Sequence, residues 1–271
     1  MPRRDIALII VAVLAASLGA LISHFYWQPA PDWFRFRDVA KVPSAELIRY
    51  GRELIEETEL KIGPDVADAS LRYAGNNMNC GACHLNGGVK KFGLPLIDSF
   101  ATFPRYFEGR PITLEDRINL CMMRSMNGKP LPHDSREMSA FVAYIKFLGT
   151  GTPVGVEIDG MGVQPLSRPA APASAERGEV VYREVCSTCH GADGEGQRRG
   201  PDPAAGYTVT PLWGPQSFNS AAGMNNPATL AAFAHDNMPY GVDFTRPLLS
   251  VQQAWDVAAF IAGRPRPEFR K

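Results

Sequence analysis

The chain has 271 residues, with 28 basic and 28 acidic side chains and a formal net charge of zero. That balance offers no basic face for nucleic acid, so no nucleic-acid partner is expected. The length suits a leading segment plus two domains, and 25 glycines with 23 prolines point to domains rich in loops.

The chain begins Met1-Pro2-Arg3-Arg4, followed by an uncharged apolar run from Ile6 to Ile22 and then by Phe25, Tyr26 and Trp27. Basic residues before such a run hold that end in the cytoplasm, and aromatic residues after it suit the far interface. At ~17 residues the run is at the short limit for a spanning helix and long for the core of a signal peptide. The nearest approach to a cleavage site, Ala15-Ala16-Ser17, lies inside the run. Residues 1–28 are therefore expected to form a hydrophobic helix that tethers a periplasmic protein to the inner membrane. The alternative is a cleaved signal and a soluble protein. Both export the rest of the chain.

The remainder of the chain reads as one pattern used twice. In residues 29–150, a helix is expected from Ala45 to Glu59, N-capped by Ser44. Then comes Cys80-Gly81-Ala82-Cys83-His84. A second helix, Thr113 to Met126, opens on a capping-box-like Thr113-x-x-Asp116. A third, Ser135 to Leu148, carries Met138, Phe141, Val142, Ile145 and Leu148 at helical spacing. From Gly149 the composition shifts to Gly, Pro and small residues, and 151–174 reads as a linker. In residues 175–271 the order repeats. A helix from Ala175 to Val185 runs into Cys186-Ser187-Thr188-Cys189-His190, and a loop with Gly191, Gly194, Gly196 and Gly200 comes next. Helices from Pro227 to Asn237 and from Ser250 to Ala262 complete the copy. No strand alternation stands out.

Cys-x-x-Cys-His is the spacing of covalent c-type haem attachment. Two thiols a helical turn apart bond to the porphyrin, and the next histidine binds the iron. Zinc sites place their cysteine pairs ~15–20 residues apart, far closer than these two pairs, and a thioredoxin-like motif needs a βαβ setting that is missing here. Two covalently bound haem c groups are expected, held by Cys80, Cys83, Cys186 and Cys189, with His84 and His190 as iron ligands. Such attachment takes place outside the bacterial cytoplasm, in agreement with the N-terminal run. The expected fold is all-α: two tandem cytochrome c-type domains joined by a Gly/Pro-rich linker and preceded by a hydrophobic helix.

The opposite axial position decides what each haem does. In the second copy Met238 is the favoured ligand, because the following Pro239 ends the helix and frees the thioether to turn. Met224 and His235 compete with it. In the first copy Met122, Met123 and Met126 are candidates, but so is Cys121, the one cysteine of five outside the haem motifs. A free thiol in an oxidising compartment is a liability unless it is buried or used. Arg117, Cys121 and Ser125 recur every four residues on one helix face, flanked by Arg124, with Arg105, Arg110 and Lys129 nearby. A cationic setting favours a thiolate and attracts an anion. A buried, inert cysteine on a solvated helix is the plain alternative.

Several runs resemble the dihaem thiosulfate dehydrogenase family: Arg72-Tyr73-Ala74-Gly75-Asn76 before the first haem motif, Phe103-Pro104-Arg105-Tyr106, and above all Thr113 to Lys129. The resemblance implies a periplasmic enzyme that couples two thiosulfate anions into tetrathionate and passes electrons to a cytochrome or oxidase. It implies His84 and Cys121 as ligands of the catalytic haem, His190 and Met238 as ligands of the transfer haem, and Arg117 and Ser125 as anion contacts. Some members carry a lysine just before the methionine; Asn237 stands there, so a lysine ligand is not expected. Two other readings stay open. One is a non-enzymatic dihaem electron carrier with a methionine on the first iron. The other is a cytochrome subunit of a larger sulfur-oxidising complex.

Overall fold

The structure, a computed structural model, describes residues 45–156 and 158–270; the apolar segment 1–28 and the Ser44 cap lie outside the described residues. Helix α1, Ala45–Glu56, stops short of Glu59 because Glu57 leaves helical angles (φ −135°, ψ 37°), and α2, Thr58–Ile62, restarts the turn. The break has a use. The Thr58 hydroxyl donates to the Leu54 carbonyl at 2.6 Å and accepts the Cys80 N–H at 3.0 Å, which docks the first haem motif on the helix pair.

Strands β1, Arg105–Phe107, and β2, Arg110–Ile112, pair antiparallel through the two-residue turn Glu108-Gly109. Both turn residues have positive φ (49° and 81°), the geometry that matches strand twist in a tight hairpin. Helix α3, Leu114–Arg124, comes next, and Thr113 and Asp116 make both bonds of the expected capping box. Helix α4, Arg136–Leu148, is capped by the Ser135 side chain. In the second half, α5, Ala175–Val181, widens into a π-type turn over Tyr182–Cys186 before the short helix Ser187–His190. Strands β3, Gln197–Arg198, and β4, Tyr207–Val209, form a small irregular ribbon. Helices α6, Pro227–Asn237, and α7, Val251–Ala262, finish the chain, with Pro227 in the first turn of α6. The fold is thus helix-rich with two short β-ribbons, which corrects the all-α expectation. Strands of two or three residues are too short to leave an alternation in the sequence.

Each half is built on its first helix crossing its last, α1 on α4 and α5 on α7. Both crossings use a glycine. A Cβ on Gly51 would collide with the Ala140 carbonyl, and one on Gly178 with the Asp256 carbonyl. Gly51→Ala and Gly178→Ala should each destabilise the fold by about 1–3 kcal/mol, the usual cost of overpacking, seen as a lower thermal midpoint. Gly223→Ala, which meets open space, should not.

Among the described residues of the 151–174 stretch there is no regular element, yet it is tied down. Phe92 and Leu94 donate to the Gly160 and Gly162 carbonyls at 2.7 and 3.0 Å, and the Trp255 indole donates to the Ser167 carbonyl at 2.9 Å. Both halves fall within one compact unit. Among the described residues no helix is long and apolar enough to cross a membrane.

Candidate functional site

Each half encloses a largely apolar cavity, of about 360 Å³ in the first and about 630 Å³ in the second. Both lie within the ~300–1,000 Å³ of cofactor sites. Cys80, Cys83 and His84 line the first; Cys186, Cys189 and His190 line the second. The two histidines are prepared in the same way. His84 Nδ1 lies 2.6 Å from the Leu94 carbonyl, and His190 Nδ1 lies 3.0 Å from the Thr210 carbonyl. A carbonyl fixes the proton on Nδ1 and leaves Nε2 for a metal. Burial lowers the His190 pKa and so favours the neutral, ligating imidazole. The residues fit two covalently held haems.

The polar lining of the first cavity is Asn79, Asp98, Ser99, Arg105, Arg117 and Ser125, beside His84 and the thiols. Helix α3 brings Arg117, Cys121 and Ser125 to it together, and Arg105 joins them from β1. The Cys121 thiol lies within hydrogen-bonding reach of the His84 imidazole. Burial alone would raise the Cys121 pKa. The Arg117 charge, then His84, then Arg124 outweigh it and bring the thiol down to about 7. Cys80 and Cys83, buried without such neighbours, are pushed up to about 12 as free thiols. Among the described residues Arg117 has no carboxylate partner; its guanidinium stacks 5.9 Å from the Phe107 ring. Arg124 stands one layer out, paired with Glu108 at 2.8 Å. Arg110 and Lys129 do not reach the cavity, and the Lys129 ammonium lies over the Tyr73 ring. Met122 and Met126 line the cavity; Met123 does not.

What holds α3 in place left no mark in the sequence. Buried Asn76 donates to the Ser125 carbonyl at 3.0 Å and to the Ser217 carbonyl at 3.3 Å. Asn219 donates from its side chain to the Met123 carbonyl at 2.8 Å and from its backbone to the Arg124 carbonyl at 3.1 Å. Loop residues of the second half therefore complete the end of the first half's helix. Met161, from the 151–174 stretch, also lines the first cavity.

In the second cavity Met238 stands at the end of α6 in extended conformation (φ −123°, ψ 142°), in the wall with His190. Its rival His235 does not line the cavity and is engaged with Asp236 at 2.7 Å. Asn237 is buried and donates to the Phe92 carbonyl at 3.1 Å and the Phe233 carbonyl at 3.2 Å, so it does not face the site.

The two cavities share a wall. Met78, Asn79, Cys83, Phe218 and Met224 line both. Beside it, Arg199 of the second half pairs at 2.9 Å with Glu59 of α2, whose carboxylate is fully buried. Burial raises the Glu59 pKa even with that partner.

Each half of the chain also matches a known family. The family described as "SoxA/TsdA, cytochrome c domain" matches residues 72–154, and that described as "Cytochrome c" matches residues 175–264. The thiosulfate dehydrogenase of Stutzerimonas stutzeri is 34% identical over 257 residues, covering 94% of this chain and 78% of its own length. That of Allochromatium vinosum is 38% identical over 232 residues, covering 83% and 80%. The solved thiosulfate dehydrogenase (TsdBA) of Marichromatium purpuratum superposes with a TM-score of 0.74 at 33% identity, over 85% of this chain and 49% of that longer one. Two cytochrome c domains of this kind carry two covalently bound haem c groups. With likeness running along most of both chains and the haem residues gathered in two cavities, this chain belongs to the thiosulfate dehydrogenase family.

Proposed function

We propose that the protein oxidises two thiosulfate anions to one tetrathionate, with the first haem held by His84 and Cys121 and the second by His190 and Met238. The observation that carries this reading is the Cys121 thiol, facing His84 in a cavity walled by Arg105, Arg117 and Ser125. Each thiosulfate brings two negative charges, and the reaction must join two of them sulfur to sulfur. Arginine forks offset that repulsion and match the oxyanion face, while the Ser125 hydroxyl adds a neutral donor.

The sulfur chemistry balances through Cys121. Its thiolate bonds to the outer sulfur of the first thiosulfate, and two electrons leave the pair. The outer sulfur of the second thiosulfate then attacks the sulfur now attached to Cys121. A sulfur–sulfur bond of tetrathionate forms, the Cys121–sulfur bond breaks, and the thiolate returns. Splitting one step into two in this way is the use of a covalent nucleophile. Each haem, when bound, supplies a one-electron acceptor, so two of them match the two electrons released. The shared wall at Met78, Cys83 and Met224 sets the two sites side by side. The electrons would leave through the second half to a cytochrome or oxidase outside the cytoplasm, with residues 1–28 as the membrane tether.

The second reading, a non-enzymatic electron carrier, draws on Met122 and Met126, which also line the first cavity. Turnover separates the two. The purified dihaem protein should reduce two ferricyanides for each tetrathionate formed from thiosulfate. A charge-assisted contact is worth roughly 1.5–3 kcal/mol, so Arg117→Ala should lower kcat/KM for thiosulfate by about one to two decades while keeping both haem spectra. No tetrathionate from the wild type, or an Arg117→Ala protein of full activity at low thiosulfate, would favour the carrier.

A further inference from the structure

The anion wall of the first half is braced by the last residues of the second. Four side chains follow one another in a stack of ring and guanidinium contacts. The Phe107 ring at the tip of the β1–β2 hairpin lies 5.9 Å from the Arg117 guanidinium and 5.4 Å from that of Arg124. Arg124 in turn lies 5.7 Å from the ring of Phe269. All three spacings are within the reach of a cation–π contact. Glu108 closes the stack by pairing with Arg124 at 2.8 Å, and the Arg124 side chain is only 16% exposed.

Phe269 is itself held. Its N–H donates to the Ser220 hydroxyl at 3.0 Å, and Ser220 N–H donates to the Pro267 carbonyl at 2.9 Å. Gly214 N–H donates to the Pro265 carbonyl at 2.8 Å. The same loop reaches α3 through the Asn219 bond to the Arg124 carbonyl at 3.1 Å. The chain end, the 214–220 loop and the end of α3 are thus one hydrogen-bonded strip.

Arg117 and Arg124 lie seven residues, about two turns, apart on α3, where like charges still repel, and a long side chain held in one place loses rotamer freedom. The rings of Phe107 and Phe269, with Glu108, counter both tendencies at Arg124.

We propose that Phe269 is a positioning residue for the anion site, holding Arg124 one layer behind it and, through Phe107, Arg117 at the cavity wall beside Cys121. The inference rests on the thiosulfate reading for its substrate but not for its geometry. It gives the second half a part in catalysis besides electron transfer, because its chain end completes the first half's binding wall.

The test uses the full dihaem protein with Phe269→Ala, Phe269→Leu and Phe269→Tyr, each checked for two attached haems by mass. Leu keeps apolar bulk without a π face; Tyr keeps the face. Equilibrium thiosulfate binding to the fully reduced protein, whose haems can take no electrons, measured by calorimetry, should weaken about fivefold in Ala and Leu and stay near wild type in Tyr. A second arm needs no thiosulfate: the midpoint potential of the first-half haem. Moving a positive charge away from that haem favours its ferric state, so the potential should fall in Ala and Leu and hold in Tyr. Wild-type values for Phe269→Ala in both arms would overturn the proposal. So would a Leu variant that behaves as wild type, because packing alone would then suffice. If the wild-type protein does not bind thiosulfate, the functional reading fails and the potential arm alone decides the role of Phe269.

Discussion

Cys121→Ala should keep both haems attached and lose thiosulfate turnover by about a thousandfold or more. The attachment thiols are Cys80, Cys83, Cys186 and Cys189, none of which the change touches, so the mass should still show two haem additions. The loss is large because one atom has two uses. On the proposed reading the Cys121 sulfur, which lies beside His84, both binds the first iron and carries the first thiosulfate. Removing a nucleophile that acts as a unit with its neighbours costs more than any single binding contact. The Arg117→Ala loss of one to two decades is the contrast, since it removes charge and leaves the sulfur route intact. Retention of a tenth or more of the activity by Cys121→Ala would move the chemistry to another residue.

The second large effect is structural. Cys186→Ser with Cys189→Ser should yield a protein with one covalent haem whose second half fails to fold stably. The second cavity has a volume of about 630 Å³ and is walled mainly by apolar side chains, among them Leu230, Phe233, Val257 and Ile261. A void of that size would cost at most on the order of 15 kcal/mol at ~24 cal/mol per Å³, and less where water enters its open mouth. Even part of that figure is comparable to the ~5–15 kcal/mol that a folded domain has to spare. The haem is therefore part of the core. Because Asn219 and the Phe269 strip hold the end of α3 from the second half, thiosulfate turnover should fall along with thermal stability. Digestion should remove the 175–270 region first. A fully folded, protease-resistant single-haem variant would contradict this account.

The haem centres were legible because their chemistry is local. Five consecutive residues carry two thiols and an imidazole, and no other use of that spacing suits a pair repeated so far apart. The helix start at Thr113 was legible for the same reason, since the cap and its partner Asp116 lie three residues apart, whereas the Ser135 and Ser250 starts were read from apolar spacing and their capping emerges in the structure. Arg117, Cys121 and Ser125 could be placed on one face by periodicity, and the structure brings all three to one cavity. Other features depend on residues distant in sequence. Asn76 closes the end of a helix 49 residues away, and Glu59 meets Arg199 across 140. Arg110 and Lys129 looked equivalent to Arg105 in charge and proximity. Only the hairpin and the path of the chain separate them. The glycine crossings at Gly51 and Gly178 left no signal, because an isolated glycine in a helical pattern has several causes. The β-ribbons were too short to register.

Sulfur ligation of the first iron is the feature from which the proposed chemistry follows, and low-temperature EPR of the oxidised protein reads it directly. The wild type should show a low-spin ferric signal of the thiolate type alongside that of a His/Met haem. Cys121→Met should lose the first and keep the second. Identical spectra from the two proteins would mean that Cys121 does not bind the iron, and would leave a methionine such as Met122 or Met126 as the ligand of an electron carrier.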